Sequence, residues 1–117
     1  MTSEIVTLKG ASGQSYRFAL ATPGARFNKV GAVYAFLAWR VRSAPFFVAY
    51  IGQTSDFMRR FRHHDIWPEA EAEWGTNLIA GTVLENPQAR SAMERDLIRA
   101  YAPPLNMAGD MLTAQAL

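Results

Sequence analysis

The chain has 117 residues, no cysteine and a formal net charge of +2, and half of its residues are apolar. That length suits a single domain with a core of its own, and the missing thiols exclude a disulfide framework, a thiolate zinc site and a cysteine nucleophile. The N-terminal residues carry neither a basic flank nor an apolar run of signal-peptide length, and no segment approaches the roughly 20 apolar residues of a membrane span, so the expectation is a cytoplasmic protein with no membrane partner.

Ile5 to Leu8 and Tyr16 to Leu20 flank Lys9-Gly10-Ala11-Ser12-Gly13 and predict a hairpin with a longer loop, after which Thr22-Pro23-Gly24 breaks the chain. Val33 to Trp39 and Phe46 to Ile51 are rich in aromatic and β-branched residues and meet near Arg42-Ser43-Ala44-Pro45, which predicts a second hairpin. Its strands are apolar on alternate and intervening positions alike, as in a sheet covered on both faces, so both are expected to be central. Gly52 is read as the end of the second of these strands. Thr54, Ser55 and Asp56 then offer caps for a helix from about Asp56 to His64. Asn77 to Leu84 predicts one more strand. Asn86 as N-cap and Pro87 in the first turn open a last helix that runs to Tyr101 and stops at Pro103 and Pro104. The expected class is α+β: a small central antiparallel sheet flanked by helices, with an extra N-terminal hairpin, in one domain over residues 1–117.

Charge is distributed unevenly. Arg59, Arg60, Arg62, His63 and His64 cluster together, and Asp65, Glu69, Glu71 and Glu73 follow with no Lys or Arg among them. Ten of the twelve basic residues are Arg, whose planar guanidinium makes bidentate contacts with phosphate. At helical spacing Phe57, Met58 and Phe61 point to one side, and Arg60 and His64 lie beside that buried edge. Trp39, Trp67 and Trp74 are assigned to packing rather than to base stacking.

A carboxylate sits in the apolar stripe of the last helix, where Glu94 shares a face with Leu97, Ile98 and Tyr101. Burying it unpaired is costly, so either Arg90 pairs with it one turn earlier or it meets a cation across a cleft. A hard divalent cation can be held by one or two carboxylates, because it keeps several waters and takes further oxygens from a phosphate.

Ala32-Val33-Tyr34 and Tyr50-Ile51-Gly52 resemble the two strand motifs that name the GIY-YIG nucleases. Thr54, Asp56 and Phe57 then lead to Arg60 at the position of that family's catalytic arginine, and His64 follows one turn later. Glu94, Leu97, Ile98, Tyr101, Pro103 and Asn106 are similar in order and spacing to its closing segment. The resemblance covers residues 31–106, leaving 1–30 as an N-terminal hairpin extension that either extends the sheet, supports a dimer or contacts a partner. Ala32 replaces the first motif glycine, and the connection between Tyr34 and Tyr50 is long for compact members.

The resemblance implies a metal-dependent endonuclease that hydrolyses DNA phosphodiester bonds, structure-dependent or weakly specific, in repair, recombination or mobile-element biology. It implies Tyr34, Tyr50, Arg60, His64 and Glu94 as catalytic residues, with Tyr34 or Tyr50 holding or deprotonating the attacking water and Arg60 stabilising the transition state. Glu94 would anchor a single Mg²⁺ or Mn²⁺, and His64 would accept a proton from tyrosine or orient a phosphate. Gly52, Thr54 and Asn106 are expected to support the site, and Arg59, Arg62 and His63 to contact nucleic acid. DNA is favoured over RNA, although phosphodiester attack does not itself select the sugar. A chain this short has no room for a separate recognition domain, so a homodimer or a protein partner is an expected source of specificity. A catalytically weak or partner-dependent nucleic-acid-binding module of the same fold, or an RNA nuclease, is the alternative.

Overall fold

The computed structural model describes residues 4–107. Five strands form one antiparallel sheet: β1 (Ile5–Lys9), β2 (Ser15–Ala21), β3 (Ala32–Ala38), β4 (Phe47–Thr54) and β5 (Leu78–Val83), in spatial order β1-β2-β5-β3-β4. Helices α1 (Phe57–Arg60), α2 (Trp67–Trp74) and α3 (Pro87–Tyr101) pack on it, giving an α+β fold. None of these helices is long and apolar enough to cross a membrane.

Both faces of the sheet are covered. Val33, Ala35, Leu37, Val48 and Ile51 point to one side, where they meet Leu8, Phe18 and Leu97 of α3. Alternate residues Tyr34, Phe36 and Ile79 point to the other, against Phe57 of α1 and Ala70 of α2. The near-continuous apolar runs in β3 and β4 follow from this double cover. Each large side chain removed from water in this way contributes about 1.5–3 kcal/mol.

The expected position of one strand is corrected. β3 is central, but β4 stands at the edge of the sheet, because β5 pairs with the other side of β3 and the N-terminal hairpin adds to β5. Asn106 closes part of the exposed edge: its Oδ1 accepts from the Ile51 N–H and its Nδ2 donates to the Ile51 carbonyl, both at 2.9 Å. One side chain thus stands in for a strand partner, which reduces the tendency of an open edge to recruit another chain. Gly52 does not end β4, which continues to Thr54.

The N-terminal hairpin extends the sheet and is tied to α3. Ser12 and Tyr16 donate to the Asp96 carboxylate, and the Lys9 N–H donates to the Tyr101 hydroxyl. The last helix begins and ends as its sequence predicts. Asn86 accepts from the Ala89 N–H at 2.9 Å, and Ala102 closes the C-terminus in the left-handed region with φ 42° just before the prolines.

Two helical features differ from expectation. The predicted helix over 56–64 is one turn, α1, capped by Asp56 accepting from the Arg59 N–H, with Phe61 closing it. Two contacts explain the early stop. Arg60 reaches Asp65 five residues on, a spacing that a continuing helix turns well apart, and His64 is drawn inward beneath the turn. Helix α2 was not expected. Its signals are Pro68 in the first turn and Gly75, which terminates it at φ 66°.

Candidate active site

Tyr34 lies in the middle of the sheet with a glycine opposite it on each side, Gly52 on β4 and Gly81 on β5. The ring leans over Gly52: a Cβ there would stand 2.6 Å from the Tyr34 Cζ and hydroxyl and 3.0 Å from the Tyr50 ring. Phe57 fills the matching space above Gly81, where a Cβ would meet its ring at 2.8 Å. A glycine within a strand commonly marks such a close approach. The pairing is not legible until register is known.

Around the Tyr34 hydroxyl the described side chains form a directed network. His64 is buried within an aromatic box, with its ring centroid 4.8 Å from Phe36, 5.2 Å from Phe61, 5.5 Å from Tyr34 and 5.7 Å from Tyr50. That burial, reinforced by the Arg60 charge and opposed by Asp65, pushes its pKa down to about 4, so the ring is neutral at pH 7. Nδ1 accepts from the Ile66 N–H at 3.2 Å, so the single ring proton sits on Nε2, which lies 2.8 Å from the Tyr34 oxygen. His64 therefore donates to Tyr34. In this arrangement the hydrogen bond runs from His64 to Tyr34, opposite in direction to a proton transfer from tyrosine.

The two tyrosines differ in access. Tyr34 is 1% exposed, whereas Tyr50 is only partly buried, with ring centroids 6.2 Å apart. Burial pushes Tyr34 far above its ordinary pKa, with Tyr50 adding and Arg60 opposing. Burial also raises Tyr50, while the Arg60 charge and the neighbouring Tyr34 favour its ionised form and Glu94 disfavours it. Tyr50 is thus the less buried of the two phenols, with the Arg60 charge favouring its ionised form.

Arg60 extends from α1 and pairs with Asp65 at 2.9 Å, which holds the Asp65 carboxyl below the usual carboxylate range. Asp65 was not singled out as a site residue. Its only signal is the five-residue spacing from Arg60, which makes sense once the helix has ended. Thr54 prepares this turn by accepting from the Asp56 N–H at 3.1 Å, one residue before α1.

Glu94 lies on α3, which packs on the face of the sheet opposite α1, and its charge disfavours the ionised form of Tyr50. The alternative pairing with Arg90 is absent. Arg90 is buried and spends its donors on the Gln53 side chain and the Leu84 and Glu85 carbonyls. Glu94 is partly buried with no ion-pair partner among the described residues, and burial raises its pKa against the opposing charge of Arg95. A partly desolvated carboxylate without a counterion fits a hard cation. No three His, Asp or Glu side chains group around a common point among the described residues.

Of the remaining expected residues, Arg59 and His63 line an open cleft with Arg60, and Arg62 lies on the other flank of α1 beside Arg26. Asn106 contacts the backbone of the motif strand. Trp39 and Trp67 pack against the two apolar clusters, while Trp74 stays 39% exposed and stacks on Phe47 with ring centroids 5.5 Å apart. Set against known proteins, the chain matches no family model, no curated protein and no solved structure.

Proposed function

We propose that this protein is a metal-dependent phosphodiester hydrolase of the GIY-YIG kind, an endonuclease acting on DNA. The observation that carries the reading is that two charges from different helices, Arg60 beyond one face of the sheet and Glu94 on α3, both act on the partly buried Tyr50 phenol, the first favouring and the second disfavouring its ionised form. Hydrolysis of a phosphodiester needs a nucleophilic water held in line, charge stabilisation at the phosphoryl oxygens and help for the departing oxygen.

The residues divide these tasks. Tyr50 holds the attacking water and takes its proton, with Arg60 lowering the cost of the developing phenolate. Tyr34 orients Tyr50 and is itself held by the Nε2–H of His64. Arg60 then meets the charge that builds on the phosphoryl oxygens, exchanging Asp65 for substrate. Glu94 would hold a single Mg²⁺ or Mn²⁺, which when bound supplies charge stabilisation for the departing oxygen. Arg59, Arg62 and His63 grip the backbone, and Gly52, Thr54 and Asn106 keep the strand and turn in place.

A nuclease assay over duplex, single-stranded, flap and branched DNA, with and without Mg²⁺ or Mn²⁺, tests this reading. Metal-dependent cleavage should appear and should fall on the order of 10²–10³ in Arg60→Ala, as for loss of one preorganised donor. Near-normal cleavage by purified Arg60→Ala would sink it. The Arg60–Asp65 ion pair favours one second reading, a nucleic-acid-binding module of weak or partner-dependent catalysis, because it occupies the guanidinium. In that case Asp65→Asn should raise cleavage.

A further inference from the structure

The arginines near the site belong to more than one segment. Arg59 and Arg60 line one flank of α1, and Arg62 shares a cleft of about 410 Å³ on the other flank with Arg26 from the β2–β3 connection. Arg26 also borders an adjoining trough of about 500 Å³ floored by Ala19, Ala21 and Gly81. The only carboxylate lining any of these three spaces is Asp56, and it is engaged in capping α1. Arg26, Arg59 and Arg62 have no ion-pair partner among the described residues.

Strand register carries this basic path further. Tyr34 is opposite Gly81, Gly81 opposite Ala19, and Ala19 opposite Ile5, so one row runs from the tyrosine across β5 and β2 to β1. Two-residue steps from that row place Thr7 with Arg17, and Lys9 with Ser15, on the same sheet face, and all four are exposed. That face of the hairpin holds two cations, two hydroxyls and no carboxylate within the strands. Three acidic residues, Glu69, Glu71 and Glu73, are exposed on α2. With strands about 4.8 Å apart and a rise of about 3.3 Å per residue, Lys9 is about 20 Å from Tyr34, which matches roughly six base-pair steps of a duplex.

We propose that the N-terminal hairpin and the β2–β3 connection form a second phosphate track, in which Arg26, Arg17 and Lys9 hold a DNA duplex to one side of the scissile bond. This rests on the hydrolase reading and gives the substrate a direction, away from acidic α2 and over the small side chains of the trough. The extension supplies the footprint that a short catalytic core lacks.

Fluorescence anisotropy of labelled duplexes in Ca²⁺ tests it, using the unaltered protein, Arg62→Ala, an Arg17→Ala/Arg26→Ala double variant and Arg99→Ala as an α3 control. The double variant should reduce the magnitude of the log K against log[salt] slope by about 1.8, twice the value of about 0.9 for one phosphate contact, and Arg99→Ala should leave it unchanged. Shortening the duplex below about six base pairs on one side should weaken the unaltered protein and leave the double variant little affected. Equal slopes for the double variant and the unaltered protein, with Arg62→Ala weakened, would overturn the track and leave the hydrolase reading standing. Failure of the unaltered protein to bind any duplex would overturn the track, and failure to bind duplex, single-stranded, flap and branched DNA alike would overturn both.

Discussion

His64 donates to the hydroxyl of Tyr34 rather than accepting from it, because its other nitrogen is occupied by the Ile66 N–H. The aromatic box that enforces this also keeps the imidazole uncharged, and the consequence is measurable as a dependence of stability on pH. An unfolded histidine takes up its proton near pH 6.5, whereas folded His64 resists until about pH 4. The unfolded state therefore binds more protons throughout that window, and folding stability falls as pH drops from 6.5 to 4. The loss is bounded at roughly 3 kcal/mol by linkage. Urea denaturation across the window should show the decline in the unaltered protein and a flatter profile in His64→Gln. Parallel profiles would mean that His64 is not held neutral.

Gly52→Ala should disturb the site from within the sheet. The backbone tolerates alanine there, but the new methyl would stand 2.6 Å from a Tyr34 ring that Phe57 and Phe61 prevent from retreating. Overpacking of this kind costs about 1–3 kcal/mol. Cleavage should fall by more than the stability loss explains when assayed well below the melting temperature, because the two phenols are forced apart. A variant with unchanged Tm and activity would show that the close approach is not needed.

Much of this arrangement is legible in the chain itself. The two hairpins, the strand before the last helix and the Asn86–Pro87 start of that helix follow from apolar runs and capping residues, because these are local signals. The edge position of β4 is not legible, since covering by α3 on one face and by α1 and α2 on the other gives an edge strand the composition of a central one. The true length of α1 is equally hidden. Its periodicity continues past Phe61, and only the long-range bond from His64 to Tyr34 and the Arg60–Asp65 pair reveal why the chain turns. The resemblance starts at residue 31, yet the structural support for Arg60 begins earlier.

That support is Phe27. Its ring centroid lies 4.2 Å from Phe57 and 4.9 Å from Phe61, and the neighbouring Asn28 and Val30 carbonyls accept from the Met58 and Phe57 N–H groups. A single helical turn cannot hold itself in water, so these contacts fix α1 and with it Arg60. Phe27→Ala should cost about 2 kcal/mol, less than the 3–5 expected for a fully buried phenylalanine, and Phe27→Leu should restore most of it. Hydrogen exchange should quicken at the α1 amides in Phe27→Ala ahead of those in β3. Uniform exchange at both would assign Phe27 to general packing.

Glu94→Gln separates a carboxylate kept for function from one kept for structure. Burial raises the folded pKa of Glu94 above its unfolded value, so the charged form weakens the fold above that pKa, and the penalty disappears as pH falls through it. Glutamine keeps the shape and removes the charge. At pH 7 the variant should melt at a higher temperature than the unaltered protein, and the difference should vanish once the carboxylate is protonated. Mg²⁺ should raise the Tm of the unaltered protein by binding the folded state, and it should have little effect on Glu94→Gln. Metal-dependent cleavage should be lost while duplex binding in Ca²⁺ weakens but persists through the arginines. A lower Tm for Glu94→Gln at pH 7 would show that the carboxylate has a structural partner, and an undiminished Mg²⁺ response in the variant would place the ion on other residues.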